Sequence, residues 1–379
     1  MLPAPGALLL LTFVVEPATS TSEADAAEPS GASALDPGAA APPAETPEPT
    51  PEPTPEPAPE PTPTEPLPAP VKPLAIPKHS IVYNDLLPLR LNPLGLENRI
   101  TFEYRYRLYD TASKLKDGAH IGFGVEPVLN PALTRVSAML TVQPLAILRL
   151  RAAYGLLAHF GTFDFMQSYN TPTADYYTAE YESTTDTRYA SVGTQLQLAA
   201  LLQAKVGPIA IRNDLQTFRT DVPLRDRDGD GRPDTVFYFI RDDMMIQGTG
   251  WHLINDSDIL YISTFGLTAG VRSTVVKAFY DDASFRPGES TEDPNGPAWR
   301  LGPLLAYSFY DRPVERRRFN KPTILLISQW HIKHRYRAAG SPAFSSDGTV
   351  ERGSLGDSIR GMPTIVLGFS FQGELWSRG

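Results

Sequence analysis

The stretch RITFEYRYRLY, Arg99–Tyr109, alternates without a break. Ile100, Phe102, Tyr104, Tyr106 and Leu108 fall on one parity; Thr101, Glu103, Arg105 and Arg107 fall on the other. Side chains on a strand point to opposite faces with period two, so this stretch predicts a strand with one apolar and one charged face. The pattern recurs along the chain. In AILRLRAAY, Leu148, Leu150 and Tyr154 oppose Arg149 and Arg151. In TQLQLAALLQAK, Leu196, Leu198, Ala200 and Leu202 oppose Gln195, Gln197 and Gln203. In ILLISQWHIKHRYR, Ile324, Leu326, Trp330, Ile332 and Tyr336 oppose Gln329, His331, Lys333, Arg335 and Arg337. The last segment, TIVLGFSFQGELW, sets Ile365, Leu367, Phe369, Phe371 and Leu375 against Gly368, Ser370, Gln372 and Glu374.

Two all-β architectures use such strands. A soluble sandwich buries the apolar face and wets the other. A transmembrane barrel turns the apolar face to lipid and the polar face to its lumen. The strands here run about 11–15 residues, where soluble strands average about 5–6 and membrane strands need roughly 9–11. Aromatics gather toward strand ends, and short connections alternate with long ones, as in porins. The expected fold is therefore an antiparallel transmembrane β-barrel. Ten strands are expected, starting near 97, 131, 146, 188, 208, 250, 266, 298, 323 and 362. The count becomes twelve if HIGFGVE and TVFYFIR also cross. Long links are expected at 110–130, 159–187, 223–249, 281–297 and 338–361, all on the outer side, with both termini in the periplasm. The strand near 362–376 would close the barrel against the one near 97–109. Pro303 cannot donate to a ladder, so its strand is expected to carry a bulge there or to begin later.

The region before the barrel differs in kind. Residues 1–20 contain the apolar run ALLLLTFVV, Ala7–Val15, followed by small residues at Ala18-Thr19-Ser20, the form of a secretory signal peptide without its usual leading positive charge. Residues 21–78 are rich in Ala, Pro, Glu, Ser and Thr, and 47–66 reads PEPTPEPTPEPAPEPTPTEP. Such a segment buries too little apolar surface to offset its ordering entropy. Alternating proline favours polyproline II, so a semi-rigid disordered periplasmic spacer is expected, able to reach toward a periplasmic or peptidoglycan contact. Residues 79–379 form the expected barrel domain. The chain has 379 residues and no Cys, which excludes disulfides and thiolate metal sites. Its net charge of −9 is local: 11 of its 43 acids lie in 1–71, which holds no Lys or Arg. The remaining 32 acids face 34 basic residues, and no basic stripe suggests nucleic acid.

From its strand pattern through the terminal VLGFSFQGELW, the chain resembles an outer-membrane β-barrel protein of Gram-negative bacteria. LRLNPLGLEN, LTVQPLAILRLRA, FGTFDF, LGPLLAYSF and RFNKPTILL resemble an uncharacterised barrel family over about 80–379. The resemblance implies an outer-membrane location, contact with outer-membrane lipid and insertion by the barrel-assembly machinery, which reads an aromatic-rich final strand. Such chains usually end on the aromatic, whereas Ser377-Arg378-Gly379 follow Trp376 here.

DRDGDGRPD, Asp226–Asp234, falls in one of the expected outer loops. Asp226, Asp228 and Asp230 take positions 1, 3 and 5 of a calcium loop, Gly231 the sharp turn, Arg232 a backbone carbonyl and Asp234 position 9. Phe237 stands where an EF-hand has its bidentate Glu, so the form resembles one thrombospondin type 3-like repeat. A structural Ca2+ bracing the loop is expected; the alternative is a solvated turn.

The expected lumen is basic: Arg105, Arg107, Arg149, Arg151, His331, Lys333 and Arg335 outnumber Glu103, Asp214 and Glu374. Either these charges favour anions in an open pore, or they pair and fill a closed lumen. No convincing catalytic set is present. His252 with Asp256 and Asp258 comes nearest to one, and His331 and His334, three apart on a strand, are expected to face opposite sides. The functional expectation is a non-enzymatic barrel, a narrow porin-like pore or a scaffold for surface loops. The alternatives are an outer-membrane hydrolase of protease or lipase type, and a secreted soluble β-sandwich.

Overall fold

The computed structural model describes residues 77–111, 113–162, 166–176, 188–227, 229–312, 317–338 and 362–378. The expected signal peptide, nearly all of the Pro/Glu spacer and Asp228 lie outside them. The wall begins with β1 (His79–Leu91), whose end pairs antiparallel with the short β2 (Gly95–Leu96), then β3 (Asn98–Arg107), β4 (His120–Leu129), β5 (Leu133–Leu145) and β6 (Leu148–His159). After β7 (Ser168–Tyr169) come β8 (Ser191–Val206) and β9 (Ile209–Asp221). β10 (Val236–Phe239) and β11 (Met244–Gln247) form a hairpin. β12 (Thr249–Ile262), β13 (Leu267–Ala278), β14 (Ala298–Ser308), β15 (Asn320–Lys333) and β16 (Thr364–Arg378) complete the wall. Every wall pairing is antiparallel, and β16 pairs with β1 from His79↔Arg378 to Leu91↔Ile365, closing a twelve-strand barrel.

This closure corrects two sequence expectations. The partner of the last strand is β1, which stands between it and β3. Of the two optional crossings, HIGFGVE does cross as β4, whereas TVFYFIR supplies β10 of a separate three-stranded sheet, β7–β10–β11. The expected outer link at 110–130 is also divided. Residues 108–119 join β3 to β4 at the end that carries the short turns 146–147, 207–208 and 263–266, and β4 carries the chain to the other end. Links 160–190, 222–248, 279–297 and 334–363 share that second, long-loop end. Pro303 remains inside β14. Pairing with β15 skips Gly302 and Pro303 without a change of register, from Leu301↔Trp330 to Leu304↔Ile327, and the bulge lies at Trp299/Arg300 instead. Gly302 is required there, because a Cβ would stand 1.8 Å from the Ser328 carbonyl oxygen.

Alternation sorts the wall into two surfaces. Phe123, Tyr154, Leu156, Val192, Leu202, Ile211 and Ile259 are each more than half exposed on the outside. Inward positions on the same strands bury Glu126, Arg135, Gln195, Gln197, Arg212, Asp214, Asp256 and Asp258. A soluble sandwich would bury the first set and wet the second, so the single closed sheet with inverted polarity excludes that alternative.

Toward the long-loop end the inward residues become apolar, and there the hairpin enters. Phe237, Phe239, Met244 and Ile246 pack on Leu157, Phe218, Ile254 and Val276 of the wall. Both faces of β11 are buried, which its unbroken Met-Met-Ile sequence permits. Each of these hairpin side chains contributes roughly 1.5–3 kcal/mol by burial.

Candidate functional site

The lumen below the hairpin is lined by paired charges. Glu126 on β4 is the centre of one group: Arg135 Nη2 donates to Oε1 at 2.7 Å, and Arg151 Nη2 lies 2.6 Å from Oε2. Arg135 Nη1 also donates to Gln195, whose amide donates to Thr220. On the far wall Arg272 forms a two-pronged bond to Asp258 at 2.7 and 2.8 Å, while Arg212 donates to Asp214 at 2.9 Å. Thr274 caps Asp256, and Gln329 reaches Thr274 from β15. Arg105 donates to Glu103 at 2.6 Å. Gly122 leaves the space for that carboxylate, since a Cβ would come within 2.3 Å of Glu103 Oε1.

The hairpin tip meets a second set of charges. Its loop, Ile240–Asp243, folds back with Asp242 N–H donating to the Phe239 carbonyl at 3.0 Å, and Asp243 takes φ 55°, which Asp tolerates better than most residues. Arg90 of β1, fully buried, donates to the carbonyls of Arg241 at 2.9 Å and Ile240 at 2.7 Å. His252 Nε2 lies 3.1 Å from Asp242 Oδ2. Arg337 Nε lies 2.6 Å from Asp243 Oδ2, and the Tyr238 hydroxyl donates to Asp243 Oδ1 at 2.6 Å. Burial would raise the Asp243 carboxyl, but Arg337 first, with the hydrogen bond from Tyr238, outweighs it and holds it far below the usual carboxylate range.

The remaining loops knit over this plug. Arg335 donates to the carbonyls of Pro172, Thr173 and Ala174 and to Asn295. Glu289 accepts from Thr171 and Thr173, and Tyr280 donates to the Met245 carbonyl of the hairpin at 2.6 Å.

The residues expected in the lumen are thus distributed. Arg105, Arg149 and Arg151 are half-buried on inward positions, and Arg151 reaches Glu126. Arg107 lies 3.6 Å from Asp110 at the short-turn end. His331 faces inward against Thr364. Lys333 is exposed at the end of β15, and Arg335 belongs to the loop network above. His331 and His334 do not face opposite sides: the strand ends at Lys333, so parity lapses and the rings lie 4.9 Å apart. Tyr336 likewise turns into the mouth and is buried. His252, Asp256 and Asp258 share the inward face, but their partners are Asp242, Thr274 and Arg272. Arg90, Glu126, Asp242 and Asp243 are not among the residues the sequence pattern singles out. Adjacent acids in a loop whose flanks alternate were the available signal for the last two.

In the Asp226–Asp234 loop, the Asp226 carboxylate accepts N–H bonds from Gly229, Asp230 and Gly231, and Asp230 accepts one from Arg232. Gly229 and Gly231 take φ 70° and 84°. Asp234 is buried, and Ser168 donates to its Oδ2 at 2.5 Å. Among the described residues, no three His, Asp or Glu converge as a metal set.

A closed antiparallel barrel with an apolar outer wall and a polar interior defines an outer-membrane β-barrel protein, and its place is the outer membrane of a Gram-negative bacterium. No family model and no curated protein matches the chain. Solved structures do match, 31 chains in all. They include the CymD monoaromatic hydrocarbon channel, at 7% identity and TM-score 0.31 over 80% of this chain and 90% of that one. OccD3 (OpdP) of Pseudomonas aeruginosa aligns at 11% identity and TM-score 0.26 over 79% and 92%. The outer membrane protein OprD of the same organism aligns at 10% and 0.25 over 79% and 94%. At such scores the assignment rests on the chain's own strand ladder and surface.

Proposed function

We propose that the protein is a non-enzymatic outer-membrane barrel that acts as a narrow pore, shut at its long-loop end by the 236–247 hairpin. The observation that supports this is the seating of the hairpin tip inside the wall, on Arg90, His252 and Arg337. Most of the charges below pair within the lumen, which suits a narrow path better than a wide anion channel. By the rule that outer-membrane barrels place their long loops outside, the hairpin end faces the cell exterior and the spacer runs into the periplasm. Insertion by the assembly machinery and a peptidoglycan contact through the spacer belong to the same proposal.

Calcium is a further part of it. Asp226, Asp228, Asp230 and the Arg232 carbonyl would hold the ion, with Asp234 only if it left Ser168. The two positive-φ glycines and the hard oxygen donors support that reading. Bound there, the ion would brace the segment that leads into β10.

The chain has no cysteine of its own, so a single one reports cleanly. Ser370 is buried on the inward face of β16, and Ser370→Cys can be challenged with a bulky membrane-impermeant maleimide added outside intact cells. The cysteine should be protected in the full protein and labelled when 236–247 is replaced by a short Gly-Ser link. Equal labelling of both proteins would defeat the proposal.

A further inference from the structure

The outer wall is not uniformly convex. Across β5, β6, β8 and β9 it carries a groove of about 420 Å³. Its flanks are the outward side chains of Leu140, Leu150, Leu198 and Leu215, and its floor is Ala152 and Ala200. The register explains the hollow. Ala152 pairs with both Leu140 and Leu198, and Ala200 pairs with both Leu150 and Leu215, so each small residue is framed by large ones on the neighbouring strands. An apolar cavity of about 150 Å³ holds a benzene molecule. A groove of this volume and lining, opening on hydrocarbon, suits a length of acyl chain.

A cation stands at its upper end. Thr217 lines the groove opposite Leu198, and Arg219 is the next outward residue on β9. Two residues of antiparallel strand place it about 7 Å further toward the long-loop end. Its register row is Tyr154, Leu196, Arg219 and Trp251, side by side on β6, β8, β9 and β12. Tyr and Trp at that depth mark the headgroup level of a bilayer. Arg219 is exposed and makes no ion pair among the described residues. Asp221, the next outward residue, accepts a bond from Thr249 at 3.1 Å.

We propose that this groove is a lipid site: one acyl chain of an anionic, phosphate-bearing lipid lies over Ala152 and Ala200, and its phosphate is bound by Arg219. Arg presents a planar fork of donors that matches phosphate oxygens, and the aromatic row fixes the depth of the head.

The test uses the full protein, purified in micelles containing equal amounts of phosphatidylglycerol and phosphatidylcholine of matched chains. Retained lipid is measured by mass spectrometry, with heat-resistant gel mobility confirming a folded barrel. Wild type should retain phosphatidylglycerol severalfold over phosphatidylcholine: both carry the phosphate, but the choline ammonium cancels its charge and is repelled by Arg219. Arg219→Gln should bring the two to parity, and Arg219→Lys should keep part of the preference. Ala200→Phe adds apolar bulk on a lipid-facing position and should lower retention of both lipids. Equal retention of the two lipids by wild type would overturn the proposal, as would unchanged retention in folded Ala200→Phe.

Discussion

Arg337 Nε stands 2.6 Å from the Asp243 carboxylate, joining the segment after β15 to the tip of the 236–247 hairpin, 94 residues away in sequence. Asp243 is nearly inaccessible and Arg337 is mostly buried. Removing one partner of such a pair leaves an uncompensated buried charge, which costs about 3–5 kcal/mol. Arg337→Ala should therefore loosen the hairpin, seen as faster amide exchange at 244–247, while wall amides stay protected. Asp243→Ala combined with Arg337→Ala should cost less than the sum of the two single changes. Strict additivity would show that the pair does not hold the tip.

The same contact carries a pH dependence. His334 Nε2–H donates to the Asp243 carbonyl at 2.9 Å, and its Nδ1 accepts from the Tyr336 N–H at 3.1 Å. A second ring proton would confront that N–H. Burial first, with Arg337, pushes the His334 pKa below the ordinary value of about 6.5, against the pull of Asp243. The closed form thus holds His334 neutral, and an opened form protonates it below about pH 6.5. Protons then favour opening, and the closed state loses up to about 1.4 kcal/mol per pH unit as pH falls from there toward the depressed pKa. Asp243, with its lowered pKa, contributes above the ordinary carboxylate range and keeps doing so at pH 5. Exchange at 244–247 should be faster at pH 5.5 than at pH 7.5, and His334→Gln should flatten the difference. An unchanged slope in that variant would assign the effect elsewhere.

β1 is the strand whose loss should undo the barrel. Removing residues 1–77 leaves the closing ladder with β16 whole, so heat-resistant mobility on a gel should persist. Removing 1–91 strips the partner from both β3 and β16, leaving two unpaired edges in a medium with no water to satisfy them. That protein should fail to give a compact band; a compact one would mean that β3 and β16 can pair directly.

Much of the wall was legible because lipid on one side and charge on the other enforce strict alternation. β3, β8 and most of β15 show this directly. β1 escaped because it breaks the rule: outward Asp85 is satisfied by Asn98 at 2.8 Å, and inward Leu86 and Pro88 are apolar. β10 misled for the opposite reason. Phe237 and Phe239 share one face, but Val236 on the other is buried as well, and period alone does not tell a wall strand from one buried inside the wall. The plug contacts join Arg90 to 240–241 and Asp243 to 337, separations that carry no local pattern.

The acidic loop predicts its own response to metal. Asp226, Asp228 and Asp230 put three like charges within five residues, so an ion bound among them would replace repulsion with attraction. Millimolar calcium should slow proteolysis within 223–236; magnesium, which demands a tighter octahedron, should not. Asp228→Ala with Asp230→Ala should abolish the protection. Equal cleavage with and without calcium would leave a solvated turn.

The most direct test of the closed-pore account is single-channel current through purified protein in a planar bilayer. The full chain should show little steady current at neutral pH, and replacement of 236–247 by a short Gly-Ser link should give a stable, larger conductance from the same folded barrel. The same current from both proteins would contradict the claim that this hairpin shuts the lumen.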